Sequence, residues 1–222
     1  MEVANSLTMP KKSKSLFTQN YSDNVFINCP FDGDYKDIFH AVVFAISDCG
    51  FIPRCALENP TTNDVRINKI IKMIKECKYA VHDISRTELD RVNKLPRFNM
   101  PLELGIFIGC EKYLDEEKSY IVLDKEKYRY QKFISDISGQ DIRSHNNNHK
   151  LAIKNVREYL FHKSTRKTIP SGDKINKRFI SFNKKLPSIC KSKDIDWDYK
   201  QLNFMEYYHC IKAWLNSNVP KG

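Results

Sequence analysis

The apolar positions of the first half of the chain alternate between two periods. Val25 to Cys29, "VFINC", is a short β-branched and aromatic run closed by Pro30, and predicts a buried strand. Behind it, "DYKDIFHAVVFAISDCG" sets Ile38, Phe39, Val42, Val43 and Ile46 at helical spacing, with Gly50 where a helix stop belongs. Phe51 to Glu58 predicts a second strand, in which Pro53 argues for a sheet edge or a bulged start. Asp64 then opens a helix whose stripe is Ile67, Ile70, Ile71 and Ile74. A third strand is expected over Tyr79 to Ser85, a helix over "MPLELGIFIGCEKY" and a fourth strand over Ser119 to Asp124. The order β-α-β-α-β-α-β predicts a parallel sheet with helices on both faces, an α/β fold.

After Asp124 the pattern weakens. "DIRSH" offers a short fifth strand, and "HKLAIKNVREYLFHK" an amphipathic helix with Leu151, Ile153, Val156, Tyr159 and Leu160 on one side. "INKRFISFNKKLPSIC" and "FMEYYHCIKAWL" are two further helices, the second expected to pack Met205, Tyr208, Ile211 and Trp214.

Charge divides the 222 residues unevenly. Of 37 Lys+Arg and 27 Asp+Glu, 16 and 6 lie in residues 150–222, so the first 149 residues are neutral and the last third carries the whole excess of +10. The expected organisation is therefore a polar arm over residues 1–23, an α/β domain over 24–148 and a basic helical extension over 149–222. That extension reads as a lid, a homo-oligomer interface or a docking surface for nucleic acid or another protein, beside the plain reading of a helical cap whose lysines face water. The seven cysteines, none at C-x-x-C spacing, read as small buried hydrophobes in a reducing cytosol. No apolar run resembles a signal peptide or approaches the ~20 residues of a membrane span. The expected product is a soluble cytoplasmic protein.

Several chemistries leave no trace. There is no P-loop, no dinucleotide fingerprint, no H-E-x-x-H or paired Cys/His spacing for a metal, and no G-x-S-x-G elbow. In an open parallel sheet, ligands sit outside the carboxyl ends of the strands. Three loops gather there: "NCPFDGDY", "HDIS" and "RFNMPLE". Glu103 is the candidate catalytic group. With Asn99 as helix cap and Pro101 in the first turn, its carboxylate lies near the positive helix end, which favours the ionised form by ~0.3–1 kcal/mol. Such an anion, walled by Leu102, Leu104, Ile106 and Phe107, suits cleavage of a glycosyl bond, where positive charge builds on the sugar carbon. Asp83 and Ser85 at the third strand's tip, and Asn28, Phe31 and Asp32 after the first strand, are candidate substrate contacts with Asn99. Tyr35 shares that first loop, while Arg54, Glu58 and Arg66 are weaker candidates. His82 points away from Asp83 and reads as packed.

Taken together, "VFINCPFDGDYKDIFHAVVFAISDCGF", "INKIIKMIKECKYAVHDIS" and "RFNMPLELGIFIG" resemble the TIR-like and nucleoside 2-deoxyribosyltransferase-like superfamily, over roughly residues 24–124. The resemblance implies a flavodoxin-like sheet that hydrolyses or exchanges the N-glycosidic bond of a nucleoside, a nucleotide or NAD, the last as substrate rather than cofactor. It places the catalytic glutamate on Glu103 and the base-holding aspartate on Asp83. It also implies an effector of antiphage defence; a separate reading, from another class, is a catalytically silent nucleotide sensor. Arg97 to Met100 stand where the deoxyribosyltransferases carry Asp-Ser-Gly-Thr, a departure that speaks against transfer.

Overall fold

Five consecutive buried residues, Asn24–Asn28, form β1 at the centre of the molecule. In the computed structural model, which describes residues 21–58, 65–89, 94–114, 117–140, 142–191 and 198–218, this strand is flanked by β2 (Ile52–Cys55) and β3 (Tyr79–Asp83). Beyond β3 lie β4 (Ser119–Asp124) and β5 (Ile142–Ser144). All pairings are parallel and the order is β2-β1-β3-β4-β5. This is the flavodoxin-like order, whose switch point falls between β1 and β3. Pro53 indeed sits on an edge strand, where its missing N–H costs no ladder bond.

Alternation along the strands sorts the core into two faces. Val25, Ile27, Val81, Ile121 and Leu123 point to one side, and Phe26, Ala80 and Val122 to the other. On the first side lie α1 (Lys36–Asp48) and α4 (His149–Lys163). The second side takes α2 (Arg66–Lys75) and α3 (Asn99–Tyr113), through Ile70, Ile74, Leu104 and Phe107. Ile67 and Ile71 are half-buried and Met73 completes the α2 stripe; the Asp64 start lies outside the described residues. α1 closes as the sequence predicts. Gly50 takes φ +84°, and a Cβ there would come within 2.9 Å of the Arg166 guanidinium.

The charge step at His149 does not mark a gap in packing. Ile153, Val156 and Leu160 of α4, Phe179 and Phe182 of α5 (Gly172–Lys191), and Tyr207 and Trp214 of α6 (Phe204–Ser217) share one continuous core with α1. α4 follows β5, the last described strand, and packs back on the α1 side of the sheet, and α5 and α6 add a layer outside α1 and α4. In α6 the buried positions are Phe204, Tyr207, Cys210, Ile211 and Trp214; Met205 and Tyr208, expected to pack, lie largely outside it. The helix is set by the Asn203–Glu206 capping box, which starts it at Phe204 and so turns a neighbouring stripe inward. Among the described residues no helix is long and apolar enough to cross a membrane.

Candidate functional site

Two buried carboxylates lie near the switch point on opposite faces of the sheet, Asp83 at the tip of β3 and Glu103 on α3. Asp83 ends β3 on the α1/α4 side. Its Oδ2 accepts a 2.6 Å hydrogen bond from the Tyr35 hydroxyl and lies 3.0 Å from His145 Nε2; its Oδ1 accepts the Ser85 N–H at 2.9 Å. Tyr35, Asp83, Ser85 and His145 are all buried, and both Asp83 and His145 have no exposed surface. Burial, then the Asp83 charge, raises the Tyr35 phenol well above its usual range, so it stays a donor.

The turn after β5 fixes the histidine. Asn146 and Asn147 adopt left-handed φ of 49° and 52°, which asparagine tolerates, and this aims the Asn147 N–H at His145 Nδ1, 3.1 Å away. Since Nδ1 accepts, the neutral ring carries its proton on Nε2, which faces Asp83 Oδ2 and, at 3.0 Å, Ser85 Oγ. Serine and aspartate therefore share one ring nitrogen, whereas a nucleophilic triad needs them on opposite nitrogens. This cluster joins the tips of β3 and β5 to the start of α1. Arg129 adds a second staple, donating to Asp124 Oδ1, to Thr87 Oγ1 and to the Ile84 carbonyl.

On the other face, Asn28 and His82 set the position of α3. The Asn28 amide donates to the Met100 carbonyl at 2.8 Å and lies 2.9 Å from His82 Nδ1. His82 is enclosed by Phe26, Phe107 and Tyr120, and burial lowers its pKa to about 3, so it is a packed neutral ring.

Glu103 belongs to this side. The Asn99 cap does not form: Asn99 is the first helical residue, is exposed, and Phe98 stands at the cap position without a side-chain bond. Glu103 is thus the fifth residue of α3, past the first turn, where the helix dipole has little effect. The expected preference for the ionised form is accordingly overturned. Glu103 is only 7% exposed, and burial raises its pKa to about 7, with Arg66 pulling in the opposite direction. Among the described residues no donor bonds its carboxylate. Both carboxylates act on one group. The Cys29 thiol at the end of β1 is raised by burial, then by Asp83, with a further contribution from Glu103.

Phe31 and Asp32 lie at another part of the rim. Asp32 Oδ1 accepts the Tyr35 N–H and pairs with Arg86 at 3.1 Å, tying the first loop to the loop after β3. Phe31 meets Phe39 edge-on at 5.4 Å. Both line a cavity against α6 whose walls include neither Glu103 nor Asp83. Arg54 is tied up in the interior, with Glu58 at 2.7 Å and Glu76 at 3.3 Å.

The structure thus brings Asp83 and Ser85 together, seats Asn28 beneath α3 and buries Glu103. It leaves Asn99 in solvent and sends Phe31 and Asp32 to a separate cavity. The role of His145 was missed. A lone histidine in a polar stretch gave no signal, although the Asn146-Asn147 pair marked a left-handed turn. Among the described residues no group of His, Cys, Asp or Glu could hold a metal ion. These features define a flavodoxin-like α/β protein with, near its switch point, a buried glutamate that no donor among the described residues bonds. The chain matches no protein-family model and no curated protein.

Proposed function

We propose that the protein is an N-glycosidase-type enzyme acting on a nucleotide or nucleoside, NAD included, and akin to the TIR-like and deoxyribosyltransferase-like proteins. One observation carries the reading: Glu103 is buried at the carboxyl edge of the sheet with no hydrogen-bond donor among the described residues, so its charged form is held at high energy. Positive charge developing at an anomeric carbon relieves that cost most strongly in the transition state. The C–N bond breaks, its electron pair leaves with the base, and the Glu103 carboxylate stabilises the sugar cation or captures it as an ester that water opens. Asp83 and Ser85, already bonded within the protein, hold the loops; Asn28 fixes the α3 turn that precedes Glu103. A role in antiviral defence is part of the same proposal.

The test is incubation with a mixed nucleotide pool and chromatography of freed base. Wild type is expected to release base, and Glu103→Gln to lose that activity by about a thousandfold or more, the scale of one essential transition-state group. Equal release by the two proteins would overturn the proposal. Saturable binding without release would replace it with the sensor reading.

A further inference from the structure

The cavity beside α6 has the composition of a small-molecule site. Its volume is about 310 Å³, at the small end of the range for ligand pockets. Two regions that are distant in sequence form most of its wall: the loop after β1 with the adjoining start of α1, and the start of α6. Five rings line it, from Phe31, Phe39, His40, Phe204 and Tyr207. They are already ordered by one another. His40 stacks on Tyr207 at 3.8 Å, and Phe39 stands 5.4 Å from Phe31 and 6.1 Å from Phe204. Burial lowers the His40 pKa to about 4, so the ring is neutral and adds a flat face rather than a charge.

Only a few polar groups join these rings. The Asp32 carboxylate is half-buried and held by Tyr35 N–H and Arg86, and Lys36 is anchored through Nζ to the Lys200 carbonyl at 2.8 Å. An acceptor and a donor are therefore placed beside an aromatic enclosure. Phe31 is 38% exposed although it belongs to this ring cluster, which leaves one face open.

We propose that this cavity is a binding site, separate from the Glu103 site, for a planar aromatic small molecule that carries a group able both to donate and to accept hydrogen bonds, as an aromatic amide or an amino-heterocycle does. The ring lies among Phe31, Phe39 and Phe204, where stacking is tolerant of substituents. Its N–H faces Asp32 and its acceptor faces Lys36. Since α6 supplies one wall and the β1 loop another, the bound ligand clamps the outer helical layer to the rim that Asp32 shares with Arg86.

Calorimetry on the full chain with benzamide and with cyclohexanecarboxamide tests this. The two probes share the amide and differ in ring planarity. Benzamide is expected to bind saturably, at least tenfold more tightly than its saturated analogue. Phe204→Ala and Asp32→Asn should each weaken benzamide binding about tenfold, the scale of one stacking or one polar contact. Glu103→Gln should leave it unchanged, which keeps this result independent of base release. Circular dichroism melts identify a variant that fails to fold; for such a variant Phe31→Leu, at the exposed mouth, takes its place with the same expected loss. No saturable binding of benzamide by wild type at millimolar concentration overturns the proposal. So do equal affinities for the two probes, or binding lost in Glu103→Gln and kept in Phe204→Ala.

Discussion

Asp83 and Glu103 are both buried carboxylates at the same end of the sheet, yet they differ in what surrounds them. Asp83 is met by three donors, from Tyr35, His145 and Ser85, and knits three chain segments together. Glu103 meets no donor among the described residues, and burial raises its pKa to about 7 against the pull of Arg66. A carboxylate whose hydrogen bonds are made serves the fold. One that is buried without them costs stability, and that cost is recoverable only when positive charge arrives. The same residue type thus divides into a structural and a functional role by environment alone.

The largest effect that could break this contrast is Asp83→Asn. One amide oxygen cannot replace two carboxylate oxygens among three donors, so the variant is expected to lose about 3–5 kcal/mol in denaturant unfolding. Wild-type stability would remove Asp83 as the structural member of the pair. Next comes Glu103→Gln, whose effect has the opposite sign. Because the folded-state pKa is raised from 4.5 to about 7, the folded protein takes up the proton first. The cost of the buried charge is then complete above pH 7 and absent below pH 4.5. The variant should exceed wild type by up to about 3 kcal/mol at pH 8, the gain vanishing near pH 4.5. Taking the difference between the two proteins cancels the separate titration of His82. A gain that does not change with pH would show that Glu103 is not buried in its charged form.

Tyr35→Phe removes one of the Asp83 donors and is expected to cost about 1–3 kcal/mol, read as a shift of the urea midpoint at constant slope. The smallest change is Asn28→Ala. It frees the Met100 carbonyl at the start of α3 and should cost about 1 kcal/mol of stability. Its effect on base release should exceed its effect on stability, because the turn that leads to Glu103 loses its tether. A purely structural Asn28 would change the unfolding midpoint and leave kcat alone.

Periodicity carried the sheet. "VFINC", "YAVHD" and "SYIVL" are too short and too evenly apolar for helices; the first two became strands buried on both faces, and the third is buried from Ile121 onward. Charge was a poorer guide. The lysines of α4 and α5 suggested a boundary at His149, but charge describes the solvent side of a helix, while Val156, Phe179 and Phe182 pack on α1 from the other side. The candidate site was legible where a residue acts through its place on a strand, as His82 and Asp83 do by alternation. It was not legible where partners are far apart, as for Tyr35, Asp83 and His145, or where one residue of helix phase matters, as for Asn99 and Glu103.

What the sequence determined by itself is the succession of strands and helices along the chain and the buried faces of α1 and α4, because apolar spacing of two and of 3.6 residues is a local property. Tertiary structure alone decided which carboxylate is paired and which is bare, and which rings meet across the cavity beside α6. Hydrogen bonds and desolvation depend on what stands within a few ångströms in space, and at the switch point Asp83 meets Tyr35 and His145, which are themselves more than a hundred positions apart.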